Sequence, residues 1–253
     1  MDWTAYGSMT MTMTMTMTMT MTKTLLLFDI DGTLLLTGGA GMQAMNRVAG
    51  ELFGPTWRWD GITTAGHLDP GIFAEAAVLN GLDEDPSHHE RFRDRYLRQL
   101  AVELESDPKR LQVMPGMPEL LGQLRDRARS PGDVVLGMLT GNYTKAVPIK
   151  LLAAGMDPGW FTITAFGDEG PTRQDLLKLA LDRYEQQFNE PANPDRVVII
   201  GDTVRDVQCA HAHGCVAFAV ATGSTTEAQL REAGADVVVR DLADPAPLMD
   251  LLP

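Results

Sequence analysis

The sequence predicts an α/β protein: a parallel sheet with helices on both faces, interrupted by a helical insert. Three observations carry that expectation. Short, almost continuously apolar runs recur after residue 23, as strands buried on both faces do. In the C-terminal half, these runs alternate with longer stretches of helical period, the pattern of βαβ units. Between the first run and the second lie about a hundred residues with helical patterns and no convincing strand.

The apolar runs are Thr24–Ile30, Val134–Thr140, Phe161–Phe166, Val197–Gly201, Cys215–Val220 and Val237–Val239. Helical patterns cover Tyr143–Ala154, Arg173–Phe188, Val204–His213 and Ser224–Ala233 in the alternating half. In the long interval they cover Gly41–Phe53, Asp69–Leu79, Pro86–Glu105 and Pro118–Ala128. The last of these can serve the sheet, so the insert is expected over residues 37–113. The sheet domain then takes residues 23–36 and 114–253. Thr37-Gly38-Gly39 and Pro115-Gly116 stand where hinges would be expected. In such a sheet, ligands bind at the carboxyl ends of the strands.

Composition narrows the function classes. The 253 residues are 44% hydrophobic and 22% charged, enough for a sizeable core and against wholesale disorder. Lys and Arg number 21 against 34 Asp and Glu, a net charge of −13. That balance argues against a nucleic-acid binder and against a polybasic membrane-surface protein. A small anionic substrate remains open, because one pocket can be locally positive. The two cysteines, Cys209 and Cys215, form no disulfide framework, which suits a reducing, cytoplasmic setting. No apolar run is long enough to span a membrane. Met9–Thr22 are alternating Met-Thr pairs, expected to form a disordered tail over residues 1–22. That segment has no basic n-region and no continuous apolar stretch, so it does not read as a secretory signal.

Three segments carry chemistry. In Phe28-Asp29-Ile30-Asp31-Gly32-Thr33, an apolar strand ends in two carboxylates at a spacing of two, which points both the same way in extended chain. Neighbouring acids at a strand end are costly without a cation, and Gly32 permits a sharp turn. In Gly201-Asp202-Thr203-Val204-Arg205-Asp206, a second apolar strand runs into an acid, and another follows four residues on. A helix starting between them would bring Asp202 and Asp206 to one side, although an acid there also serves as an N-cap. Hard oxygen donors from two strand ends suit Mg²⁺ shared with a phosphate. In Leu139-Thr140-Gly141-Asn142, a strand ends in a hydroxyl ahead of a helix, which makes an anion site or an ordinary turn.

Together the three segments resemble the motifs of the haloacid-dehalogenase superfamily, in the right order and each at a strand end. The likeness runs from about Thr24 to Leu242 and is nearest the phosphoglycolate-phosphatase-like branch, with counterparts at Thr140-Gly-Asn, Ala221-Thr-Gly and Gly234-Ala-Asp236. It implies a Rossmann-like parallel sheet with an inserted all-helical cap domain of the C1 type. It also implies a Mg²⁺-dependent phosphatase of small phosphorylated metabolites, with phosphoglycolate the best single candidate and a monomer or homodimer as the working unit. Carried over by position, Asp29 is the nucleophile and Asp31 the acid/base, whose carbonyl also ligates Mg²⁺. Asp202 ligates the metal, and Asp206 holds it or its shell. Thr140, Gly141 and Asn142, with Gly32 and Thr33 of the first turn, surround the phosphoryl group. The family's third motif supplies a Lys; near the expected place stands Arg173, and Lys150 is the second candidate.

A phosphomutase would use the same acids. A dehalogenase would need neither Asp31 nor a metal, and a non-catalytic binding module would be consistent with the missing Lys. Other features read as structural. Gly38-Gly39-Ala40-Gly41 lacks the full dinucleotide-binding spacing and is expected to be a hinge. Cys209, His211, His213 and Cys215 match no zinc spacing. Arg91, Arg95 and Arg98 are interleaved with acids on a solvated helix face. His67 and Asp69 stand in a loop before an insert helix, where they can face the substrate, while Asp69-Pro70 also fits a helix start.

Overall fold

The computed structural model describes residues 23–130 and 132–253. The Met-Thr tail, and the expectation that it is disordered, lie outside the described residues. A six-stranded parallel sheet is formed by β1 (Thr24–Phe28), β4 (Val134–Thr140), β5 (Ile163–Phe166), β6 (Val197–Gly201), β7 (Val216–Val220) and β8 (Val237–Val239). Its order is β5-β4-β1-β6-β7-β8, so β1 is central, with β4 and β6 as neighbours. The helices that serve the sheet are α4 (Met117–Arg129), α5 (Ala146–Ala153), α6 (Arg173–Phe188), α7 (Val204–Ala212), α8 (Glu227–Glu232) and α9 (Ala246–Met249).

The strands read as apolar runs because both faces are covered. Leu26 and Phe28 of β1 pack with Leu120 and Leu124 of α4 and Leu151 of α5 on one face. Leu25 and Leu27 pack with Leu176 of α6 and Val207 of α7 on the other. Fully burying each such side chain contributes about 1.5–3 kcal/mol. Between β1 and β4 the chain forms α1 (Ala40–Phe53), α2 (Asp69–Leu79) and α3 (Pro86–Ser106). These three helices enclose a separate core that includes Met45, Phe73, Phe92, Tyr96 and Leu100.

Two short strands, β2 (Leu35–Leu36) and β3 (Gln112–Val113), pair antiparallel at the base of this insert. The sequence showed no strand there, because two residues are too few to display a period. Gly38, Gly39 and Gly116 beside this pair have positive φ, so the chain turns where glycine makes the turn inexpensive.

Most boundaries fall within one or two residues of the expected ones, but the starts of α5 and α8 shift by three, α8 beginning at Glu227 rather than Ser224 because Thr226 caps it. β1 stops at Phe28 rather than Ile30, since the Ile30 carbonyl accepts from Thr33, Leu34 and Leu35 and closes a turn. α5 starts at Ala146 rather than Tyr143. The N–H groups of Tyr143 and Thr144 donate instead to the carboxylates of Asp69 (2.9 Å) and Asp168 (2.7 Å).

Candidate functional site

Three adjacent strands deliver their last residues to one cavity. Asp29 follows β1 directly, and its N–H donates to the Ile200 carbonyl (2.9 Å), which keeps it in register with β6. Gly32, at φ 83°, then turns the chain; a Cβ there would lie 2.5 Å from the Asp202 carboxylate. Thr140 is the last residue of β4 and Asp202 follows β6, both buried. The cavity they share is about 300 Å³ and is also lined by Asp31, Gly32, Gly141, Asn142, Lys150 and Arg173.

Asp206 reaches the site through helix capping. Thr203 caps α7, and Asp206 Oδ2 accepts from the Thr203 N–H (3.0 Å) and hydroxyl (2.7 Å). The box, rather than an N-cap at Asp202, fixes the helix start. It leaves Asp206 Oδ1 against Arg173 in an ion pair. Carboxylate oxygens of Asp29, Asp202 and Asp206 lie within 4.8 Å of one another, all three residues buried. Asp202 Oδ1 accepts no hydrogen bond from any described residue, and Asp206 Oδ1 meets only the Arg173 ion pair. A Cβ at Gly223 would collide with Asp202, so glycine keeps this space open. Buried, all-oxygen donors with orphaned lone pairs fit a hard divalent cation.

The charges agree. Burial, then the Asp29 and Asp206 charges, pushes the Asp202 carboxyl up to about 8. Burial likewise raises Asp29, with Arg173 pulling it back. Three buried acids against one guanidinium leave the cluster short of positive charge.

Both candidates for the missing Lys are present, and they serve different acids. Arg173, the first residue of α6, sets Nη2 3.2 Å from Asp29 Oδ2 and donates to the Leu139 carbonyl (3.1 Å). Lys150, from α5, sets Nζ 2.5 Å from Asp31 Oδ2, which also accepts from Asn142 Nδ2 (3.0 Å). Both cations are at least nine-tenths buried, at 6% and 4% exposed.

The remaining candidates divide. Thr140 hydrogen-bonds Asp29, which lowers the acid. Gly141 and Asn142 line the cavity, whereas Thr33 is buried and does not. His67 and Asp69 do line it, and the Asp69 N–H donates to the Gly141 carbonyl (2.7 Å), so the insert touches the β4 loop directly. Sequence reasoning missed Met42, Met45 and Tyr96, which also face the cavity. Their helical spacing is that of ordinary core residues, and no sequence signal separates the two roles. Cys209 and Cys215 are buried free thiols, and among the described residues the acidic triad is the one group placed to hold a metal. No helix of the described residues is long and apolar enough to cross a membrane.

Comparison with known proteins places this arrangement. A phosphoglycolate phosphatase of Synechococcus elongatus is 26% identical over 219 residues, covering 87% of this chain and 93% of its own. A phosphoglycolate phosphatase of Nitrosospira multiformis is 28% identical over 233 residues, with 88% and 94% covered. Among solved structures, CbbY of Rhodobacter sphaeroides in complex with xylulose-(1,5)bisphosphate superposes with a TM-score of 0.69 at 21% identity, covering 88% of this chain and 96% of that one. The family model for haloacid dehalogenase-like hydrolases matches residues 23–214, from β1 through both acidic strand ends and the insert between them. By that match the chain belongs to the haloacid dehalogenase-like hydrolases.

Proposed function

We propose that this protein is a Mg²⁺-dependent phosphatase that hydrolyses small phosphomonoesters through an aspartyl-phosphate. The observation that carries the reading is the convergence of Asp29, Asp31, Thr140, Lys150, Arg173 and Asp202 on one cavity. The named activity of the two phosphoglycolate phosphatases supports phosphomonoester hydrolysis.

Asp29 attacks phosphorus, and the bond to the leaving oxygen breaks as that oxygen takes a proton from Asp31. Asp31, now a carboxylate, takes a proton from water; the water oxygen attacks phosphorus, and the acyl-phosphate bond breaks to release phosphate and restore Asp29. Lys150 and Asn142 hold Asp31 Oδ2 in place between the two half-reactions. Arg173 steadies Asp29 and offers charge to the phosphoryl oxygens, which Thr140 and the Gly141 and Asn142 N–H groups also receive. The Asp29 and Asp202 carboxylates and the Asp31 carbonyl would hold Mg²⁺, with Asp206 tying that shell to α7. The ion supplies the positive charge that lets an anionic phosphate approach an anionic nucleophile.

In this reading, residues 37–113 act as a cap over a core of residues 23–36 and 114–253, hinged at the β2–β3 pair. Two free thiols suit a cytoplasmic protein, working as a monomer or homodimer. Phosphate release from p-nitrophenyl phosphate tests the proposal. We expect turnover with Mg²⁺, none with chelator, and loss of about 10³-fold or more in Asp29→Asn. Turnover that survives chelator or Asp29→Asn would sink it.

A further inference from the structure

The cavity's walls differ in chemistry, and the difference bears on the substrate. The strand ends provide the charged groups. The insert helices contribute Met42 and Met45 of α1, Ile72 of α2 and Tyr96 of α3. Resting on the phosphatase reading, we propose that the substrate's leaving alcohol is small, uncharged and hydroxylated, and that Tyr96 is the specificity-determining residue that hydrogen-bonds its hydroxyl.

Charge is the first argument. Asp29, Asp31, Asp69 and Asp202 line the cavity, against Lys150 and Arg173. Both cations already face acids, Lys150 with Asp31 and Arg173 Nη2 with Asp29 and Asp206, which leaves Arg173 Nε and Nη1 for the phosphoryl oxygens. His67 turns its Nε2 to Glu75 (2.8 Å). Among the described residues, no other Lys, Arg or His lines the cavity, and residues 1–22 and Pro131 include none. A divalent cation and the two basic side chains face the phosphoryl group and the carboxylates of Asp29, Asp31, Asp202 and Asp206. A second anion on the leaving group would enter a negatively charged, mostly buried space without a counter-charge, at a large desolvation cost.

The second argument is an unused hydroxyl. Tyr96 is 1% exposed, and its ring is held by Phe92 on its own helix and by Tyr143, with centroids 6.2 and 5.8 Å away. The Tyr143 hydroxyl is taken by His89 Nε2 (2.8 Å). The Tyr96 hydroxyl has no hydrogen-bond partner among the described residues, and the side chain faces the cavity. Burial and the nearby Asp69 and Asp31 charges keep it protonated, a neutral donor and acceptor. The hydroxyl opens on the cavity, where an uncharged hydroxyl on the substrate can take the place of water as its partner. Met42, Met45 and Ile72 beside it suit the carbon chain.

Matched substrates differing only in this group test the inference. Ethylene glycol monophosphate pairs with phosphoglycolate, and glycerol phosphate with phosphoglycerate; in each pair a hydroxymethyl stands where the other has a carboxylate. With Mg²⁺ present, the neutral member of each pair should have the higher kcat/KM, by about tenfold or more. Tyr96→Phe should lose more on glycerol phosphate than on phenyl phosphate, which has no hydroxyl, with the difference mainly in KM. Equal or higher kcat/KM for the carboxylates overturns the inference, and would mean that N–H groups at the start of α1 receive the second anion. Hydrolysis of p-nitrophenyl phosphate separates the levels. If it proceeds and the neutral esters fail, only this inference falls; if it does not proceed, the phosphatase reading falls and takes this inference with it. The wild-type comparison stands even if Tyr96→Phe folds poorly.

Discussion

Lys150 Nζ lies 2.5 Å from Asp31 Oδ2, and the lysine is almost wholly buried. The contact joins a side chain on α5 to the acid just past β1, two residues after the acid that Arg173 attends. The two cations therefore divide the work: one serves the proposed acid/base, the other the proposed nucleophile and Asp206. Separate consequences follow for each.

Lys150→Met should leave Asp31 with the Asn142 amide as its remaining side-chain partner. Turnover of alkyl phosphates should fall by about 10²-fold, the scale of a mispositioned acid/base. Steady-state kinetics at saturating Mg²⁺ check this. A fall confined to KM would show that Lys150 only binds substrate.

Arg173→Met should behave differently, because it strips the cation from a buried pair of acids, Asp29 and Asp206. Uncompensated buried charge is destabilising, so the melting temperature should drop without metal. Mg²⁺ should restore much of it, since the ion adds charge to the same acids and binds only the folded state. Lys150→Met should show no such rescue. Thermal melts of both variants with Mg²⁺ and with chelator decide the point.

Gly141 meets the insert directly: a Cβ there would collide with the His67 carbonyl and crowd Leu68. Backbone cannot give way as a flexible side chain can, so Gly141→Ala should push the His67–Asp69 loop outward and break the hydrogen bond from Asp69 N–H to the Gly141 carbonyl. We expect a lower melting temperature and a loss of kcat/KM larger for glycerol phosphate than for p-nitrophenyl phosphate. The bulkier ester depends less on a closed wall for its reactivity. Equal losses on both would indicate damage to the phosphoryl pocket alone.

How much of this was legible in the sequence follows from what each feature depends on. Strand ends at Thr140 and Gly201 were legible because apolar runs stop at polar residues, whereas the apolar Ile30 hid the stop at Phe28. α6 was legible to the residue, since Thr172 caps it and accepts from the Asp175 N–H (3.2 Å). The start of α5 was not, because the groups that claim the Tyr143 and Thr144 N–H belong to Asp69 and Asp168, remote in sequence. The roles of Lys150 and Arg173 stayed open for the same reason. Spacing placed both near the site, but which acid each meets depends on how α5 and α6 pack on the sheet. Tyr96 was invisible as a site residue, since a core tyrosine and a cavity tyrosine share one periodicity.

Asp69 gives a pH test. Burial pushes its carboxyl up to about 7 against an ordinary 3.8, with Lys150 and the Tyr143 N–H pulling the other way. A folded value above the unfolded one means that the neutral acid is favoured in the fold. Its contribution is complete below about pH 4 and is lost as the pH rises through 7. Asp69→Asn keeps an acceptor for Tyr143 and cannot ionise. The variant should gain stability relative to wild type between about pH 5 and pH 8, by up to a few kcal/mol. Denaturant unfolding at saturating Mg²⁺ measures the difference, and a difference that stays flat across that range would exclude the effect.

Asp31 gives the sharpest test of the proposed chemistry. An alkoxide is a poor leaving group, so an alkyl phosphate needs a proton as its bond to phosphorus breaks, whereas nitrophenolate leaves without one. A general acid contributes about 10²–10⁴-fold where the proton is required. Asp31→Asn keeps the size of the side chain and can still meet Lys150 and Asn142, but it cannot transfer the proton. Cleavage of alkyl phosphates should collapse, while p-nitrophenyl phosphate should still phosphorylate Asp29. Hydrolysis of the aspartyl-phosphate should then be slow, because the same carboxylate activates the water. Rapid mixing should show a burst of nitrophenol, near one equivalent per active site, followed by slow turnover. Equal losses on both esters without a burst would remove Asp31 from proton transfer and leave it only a partner for Lys150 and Asn142.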